Sequence, residues 1–206
     1  MITRLACAGR LLAMLLGWSV LCAASSPVEL MPAEGRARPF GKNAQVVLVP
    51  ASEDDNSDFG ERPKLDEEGS FEWRLSWNGE AYDVVFEGEQ YADEPEGTLA
   101  FMKLKGTRHL YAARFWDPGS EGPPEQIEEQ YQYFLMWRLS RREFIGYLNL
   151  FWLSDCGDVS RDELALLGLT DEDIENCSVH SWQQVEGVLR AYARTKPRAL
   201  GVMRGK

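Results

Sequence analysis

The stretch Phe71-Glu72-Trp73-Arg74-Leu75-Ser76-Trp77-Asn78-Gly79-Glu80-Ala81-Tyr82-Asp83-Val84-Val85-Phe86 decides the fold. Phe71, Trp73, Leu75 and Trp77 share one face of an extended chain, and Glu72, Arg74 and Ser76 share the other. After Asn78-Gly79 the period of two resumes with Tyr82, Val84 and Phe86. An Asn-Gly pair between two alternating runs is the strongest short-range hairpin signal, because both residues tolerate the positive φ of a tight turn.

The same period extends in both directions. Residues 44–49 form a short apolar run, and residues 98–105 and 109–116 read as a hairpin around Gly106. Residues 130–139 and 143–153 read as two further strands. These two are apolar on both faces: Phe134 and Met136 oppose Tyr133, Leu135 and Trp137, and Leu148, Leu150 and Trp152 oppose Tyr147 and Phe151. Such strands belong in the middle of a covered sheet.

The last quarter supplies the cover. Ser160-Arg161-Asp162-Glu163 is a capping box ahead of Leu164, Leu166 and Leu167, and Thr170-Asp171-Glu172-Asp173 repeats it for one short turn. Ser181-Trp182-Gln183-Gln184 opens the longest helix, with Trp182, Val185, Leu189 and Tyr192 near one face and Pro197 as its stop. The expected architecture is α+β: an antiparallel sheet of about seven strands, a meander of hairpins with scope for strong curvature, and C-terminal helices packed on it. The expected organisation is a leader at 1–24, a flexible spacer at 25–43, one β-rich domain at 44–200 with helices in 160–195, and a tail at 201–206. Residues 51–69 hold eight acids against Arg62 and Lys64, which predicts an exposed, dispensable loop. Asp54-Asp55-Asn56-Ser57-Asp58-Phe59-Gly60 within it has oxygen ligands at alternate positions, but neither frame matches a calcium-binding EF-hand.

Composition narrows the function. The 206 residues carry 33 acidic and 22 basic groups, a net charge of −11, which argues against a nucleic-acid partner. His109 and His180 are the only histidines, leaving little for a histidine-built metal or catalytic centre. No Gly-x-Ser-x-Gly, Walker loop, dinucleotide fingerprint, His-Glu-x-x-His or Cys-x-x-Cys occurs. Residues 187–206 contain Arg190, Arg194, Lys196, Arg198, Arg204 and Lys206 with no acid. This is favourable charge at a helix C-terminus, with anionic lipid headgroups or an acidic partner as the functional alternative.

The N-terminus reads as an address. Arg4 and Arg10 precede an apolar run from Leu11 to Leu21, followed by Cys22-Ala23-Ala24-Ser25-Ser26. A positive start, a short apolar middle and a small-residue end are the pattern of a secretory leader, and cleavage between Ala24 and Ser25 fits best. Two arginines and no acid leave with the leader, so the mature net charge is −13. Cys22 is the alternative: a lipid anchor in a lipoprotein, with bulky Leu21 where such sites take a small residue. Of the four cysteines, Cys156 and Cys177 then remain, and an even pair in an oxidising compartment reads as a disulfide. A zinc site from Cys156, Cys177 and His180 is the competing reading, short of a fourth ligand.

The order of strands, Ser154-Asp155-Cys156, Leu166-Leu167-Gly168-Leu169, Cys177-Ser178-Val179 and a serine-capped helix resembles a loose group of bacterial exported and lipoprotein sequences, mostly uncharacterised, over residues 70–195. The resemblance implies an envelope location and a paired cysteine, and it carries no activity. The expected function is a non-enzymatic envelope protein that binds another envelope protein or an apolar ligand, with no cofactor, no metal and no catalytic residue assigned. Contact with a membrane is expected only through Cys22 or the basic C-terminal segment. The rival expectation is a hydrolase using carboxylates or a Ser/His pair.

Overall fold

The computed structural model describes residues 24–26, 29–86, 97–117, 130–147, 159–176 and 178–206. Its strands are β1 (Ala24–Ser26), β2 (Arg36–Ala37), β3 (Asn43–Pro50), β4 (Phe71–Trp77), β5 (Tyr82–Phe86), β6 (Gly97–Lys103), β7 (Leu110–Asp117), β8 (Gln130–Ser140), β9 (Glu143–Tyr147) and β10 (Gly201–Gly205). Helices α1 (Arg161–Leu166), α2 (Asp171–Asn176) and α3 (Trp182–Thr195) lie between β9 and β10.

From β3 to β10 each strand pairs antiparallel with the next. β10 then pairs with β3, Met203 opposite Leu48, so the meander closes on itself. The expected α+β fold with an open seven-stranded sheet is therefore corrected: the protein is mostly β, a closed eight-stranded barrel with a small helical cover. The strand the sequence reading lacked is β10, expected as a tail. Its five residues carry glycine at each end and too little alternation to register as a strand. Gly201 is required there, because a Cβ would lie 2.5 Å from the Val49 carbonyl oxygen.

Closure explains the strands that are apolar on both faces. One buried cluster takes Val46, Leu48, Leu75, Tyr82, Val84, Leu99, Phe101, Tyr111, Met136, Phe144 and Met203, drawn from all eight strands: the barrel interior. The alternate residues Ala100, Met102, Ala112, Tyr133, Leu135, Ile145 and Val202 face outward, where Val185, Val188, Leu189 and Tyr192 of α3 bury against them. Ser181 caps α3 by accepting from the Gln184 amide, and Lys196 ends it in the left-handed conformation (φ 55°) just before Pro197. The expected extension of β9 to residue 153 lies outside the described residues.

The interior is filled. Phe40, Phe101 and Phe144 pack with ring centroids 5.6–5.8 Å apart, and Tyr82 closes on Phe40 and Phe101 at 6.3 Å. An eight-stranded barrel has room for its own side chains or one small ligand, and here side chains take the centre.

The expected spacer at 25–43 is also corrected. It fills two gaps left by the stagger of the strands. β1 pairs with β8 at Tyr131–Tyr133, below the point where β9 leaves that edge at Leu135. β2 pairs with β6 at Phe101 and Met102, past the end of β5. Between them residues 29–36 cross the outer face as a strap, with Met31 buried, and Phe40 enters the lumen. The Phe40 amide donates to Tyr82 Oη at 3.1 Å, which donates to the Gly41 carbonyl at 3.0 Å.

The acidic segment 51–69 is likewise packed rather than free. Phe59 sits 5.2 Å from Trp137 and 4.6 Å from Tyr147, and the Gly60 amide donates to Tyr147 Oη at 2.7 Å. Asp55 is buried and accepts from the Lys64 amide (2.9 Å) and from the Ser57 hydroxyl (2.9 Å) and amide (3.3 Å). Burial pushes its carboxyl up, but these donors and the Arg198 charge outweigh that and hold it below the ordinary value of 3.8. The folded value is depressed, so the stabilisation is complete above 3.8 and is lost as pH falls through the folded value. Asp55→Ala is expected to lose about 1–3 kcal/mol at neutral pH by stranding its donors. Urea unfolding at pH 7 should show the loss, and the gap to the parent should narrow in acid below the ordinary carboxylate value.

Candidate functional site

Between the strap and the outer face of the barrel lies an open cleft of about 450 Å³. Its walls are Glu29 and Arg36 from the strap, Asn78, Glu80 and Ala81 from the β4–β5 turn, Thr98 from β6, Arg114 and Trp116 from β7 and Tyr131 from β8. Strand register builds the floor: Thr98 lies opposite Trp116, and Trp116 opposite Tyr131. Arg114 and Trp116, two apart on one strand, point to the same face.

Arg114 is 2% exposed. Its Nη1 donates to Thr98 Oγ1 at 2.5 Å and its Nη2 meets Glu29 Oε1 at 3.0 Å. The same Glu29 oxygen takes Arg36, which also donates to the Pro32 carbonyl (3.1 Å), the Met31 carbonyl (2.7 Å) and the Glu80 carbonyl (3.3 Å). Burial pulls the Arg114 guanidinium below its ordinary value; Glu29 opposes that pull and Arg36 adds to it. The Leu30 amide donates to buried Tyr133 Oη at 2.6 Å, pinning the strap a second time. The guanidinium carbon of Arg114 lies 5.5 Å from the centre of the Tyr131 ring, which stacks on Trp116 at 6.4 Å and 29°.

Among the described residues, two donors beside the cleft have no acceptor: Arg114 Nε and Trp116 Nε1 are both buried without a hydrogen-bond partner. Buried N–H groups without partners are rare and costly, about 1–3 kcal/mol each, and ask for an explanation. Trp73 Nε1 is a third, at the aromatic end of the lumen beside Phe86 and Phe115.

The residues singled out from sequence stand elsewhere. Cys22, Cys156 and Cys177 lie outside the described residues, and with them the lipid anchor, the disulfide and the zinc reading. Ala24 and Ser25, the expected cleavage pair, lie in β1 opposite Tyr133 and Gln132. His180 Nε2 is bonded to Asp173 Oδ1 at 2.6 Å. That bond, with two from Thr170, holds the Asp173 carboxyl down at about 2. His109 stacks on Trp137 at 5.2 Å and its Nδ1 meets the Arg138 carbonyl at 3.1 Å. Neither ring lines the cleft.

Among the described residues no group of three or more His, Cys, Asp or Glu is arranged to hold a metal ion. In the acidic loop Asp54 is paired with Lys64, and Asp55 is saturated by protein donors. No helix among the described residues is long and apolar enough to cross a membrane. The basic C-terminal segment is turned onto its own chain. Arg204 meets Glu67 at 2.8 Å, Lys206 pairs with Glu72, Arg194 pairs with Glu163, and Arg198 donates to the Ser52 and Glu53 carbonyls.

Sequence reading missed Glu29, Arg36 and Arg114. Pro and Gly around the strap hid the apolar Leu30, Met31 and Phe40, the available sign that the segment packs. Arg114 stands inside Tyr111-Ala112-Ala113-Arg114-Phe115-Trp116, a cation in an otherwise apolar strand. No family model, curated protein or solved structure matches the chain.

Proposed function

We propose that the chain is an exported, non-enzymatic binding protein of the cell envelope, and that the cleft over β6, β7 and β8 is its ligand seat. The observation that carries this is the cleft itself, about 450 Å³ between the strap and the barrel, where the Arg36–Glu29–Arg114 cluster meets the stacked rings of Trp116 and Tyr131. The volume falls in the range of small-molecule sites. Export rests on the leader pattern at residues 1–24 and on the resemblance to exported sequences.

The filled lumen argues against an apolar ligand held inside the barrel. The rival hydrolase finds little support in the cleft. Among the described residues its walls hold no histidine, cysteine or serine, and the Glu29 carboxylate is engaged by two guanidiniums. Acid–base chemistry on a bound substrate needs a group within hydrogen-bond reach of it. His109→Ala with His180→Ala should therefore leave ligand binding unchanged, measured by calorimetry.

The test of the seat is nuclear magnetic resonance of the indole N–H groups of the purified chain. Compounds that raise the melting temperature in a screen of sugars, carboxylates, amines and fatty acids should shift the Trp116 indole N–H. Trp116→Ala, which removes the ring from the cleft wall, should weaken them. Binders that leave the Trp116 resonance in place would place the seat elsewhere.

A further inference from the structure

We infer that Asn78 is a site of covalent self-modification, deamidating to aspartate and isoaspartate through a cyclic imide with Gly79, and that the β4–β5 turn sets the rate. Asn78 is the one asparagine of the chain followed by glycine. The pair stands exposed in the turn. The reaction needs the Gly79 amide nitrogen to attack the Asn78 side-chain carbonyl carbon. Gly79 has no side chain to shield that nitrogen, and its φ of 118° is one that other residues rarely adopt. Among the described residues no group accepts from the Gly79 amide, so the nucleophile is not tied up. The nitrogen–carbon bond forms, the Cγ–Nδ2 bond breaks, and ammonia leaves with the proton from the Gly79 nitrogen. Water then opens the imide at either carbonyl.

The turn holds the other reactant back. Asn78 Nδ2 donates to Asp83 Oδ1 at 2.7 Å, and Asn78 Oδ1 accepts from the amides of Glu80 (3.1 Å) and Ala81 (3.0 Å). The Asn78 backbone amide donates to the Ala81 carbonyl at 3.0 Å as well. Attack requires the side chain to turn away from its partners, so the reaction waits on opening of the turn. The bond to Asp83 is the strongest of the three side-chain bonds, because its acceptor is a carboxylate. Conversion removes it. An aspartate at position 78 sets a second carboxylate against Asp83, and isoaspartate adds a carbon to the main chain of a tight turn. Both products loosen the turn that slowed their formation. Asn78 also lines the cleft, so each conversion adds a negative charge to that wall.

The experiment incubates the purified full chain in mildly alkaline buffer, folded and in urea, and follows residue 78 by peptide mapping with mass spectrometry. The unfolded chain should convert, and the folded chain should convert more slowly by about tenfold or more, the worth of one hydrogen bond to a charged group. Asp83→Ala should raise the folded rate about tenfold for the same reason. Asp83→Asn, which keeps an acceptor oxygen, should raise it less. Folding of both variants is checked by their melting temperatures, and the comparison of folded and unfolded parent stands without them. Asn78→Asp, which reproduces one product, should melt below the parent. Absence of conversion at residue 78 in urea would overturn the site. Equal rates in the folded and unfolded parent, or a folded rate untouched by Asp83→Ala, would overturn control by the turn.

Discussion

Replacing Phe101 by alanine is expected to lose about 3–5 kcal/mol, the usual cost of removing a buried aromatic ring. For a chain of this length that is a fall in melting temperature of roughly 6–20 °C. Phe101 is fully buried in the lumen, in ring contact with Phe40, Tyr82 and Phe144. Those partners come from the β2–β3 connection, β5 and β9, on different sides of a closed wall. A closed barrel cannot contract around a void as two helices can, so the transfer loss and the cavity loss both apply. Phe101→Leu, which keeps part of the volume, should lose clearly less. Guanidinium unfolding of the two variants measures the difference. Equal stability of Phe101→Ala and the parent would mean that the lumen is loosely filled and open to an interior ligand, against the outer seat proposed above.

The hairpins were legible because their strands carry the period of two in their own residues. The alternation at Phe71–Trp77 and Tyr82–Phe86 gives the pairing, and Asn78-Gly79 gives its turn. The capping serines Ser160 and Ser181 start their helices where their side chains accept from Glu163 and Gln184. Closure was not legible, because it depends on Gly201–Gly205 reaching β3 from more than 150 positions away. Nothing in a local period reports such a pairing. Burial of the acidic loop was hidden for a related reason. Its charges are local and visible, whereas Phe59 meets Trp137 and Tyr147, rings far along the chain. The cleft needs three separate segments, so only the lone arginine within β7 could have hinted at it.

Glu29→Gln is the substitution expected to release the strap. It takes the countercharge from Arg114, whose side chain is 3% exposed, and leaves Arg36 beside it with the same sign. Removing one partner of a buried ion pair typically costs about 3–5 kcal/mol, because the remaining charge is stranded. Glu29 itself is 28% exposed, which places the loss nearer the lower figure. Amide exchange should report where the loss falls. Protection should drop in residues 29–40, including the Leu30 amide held by Tyr133 and the Phe40 amide held by Tyr82, while β3 and β4 keep theirs. A double variant separates charge stranding from simple loss of contacts. Glu29→Gln with Arg114→Met removes both charges and should be more stable than Glu29→Gln alone, a coupling of 0.5–3 kcal/mol in the usual range for contacting residues. Additive losses would mean that the pair contributes nothing as a pair. The strap would then be held by Tyr133, Met31 and Phe40 alone, and Arg114 would face the cleft already free of obligation to the fold.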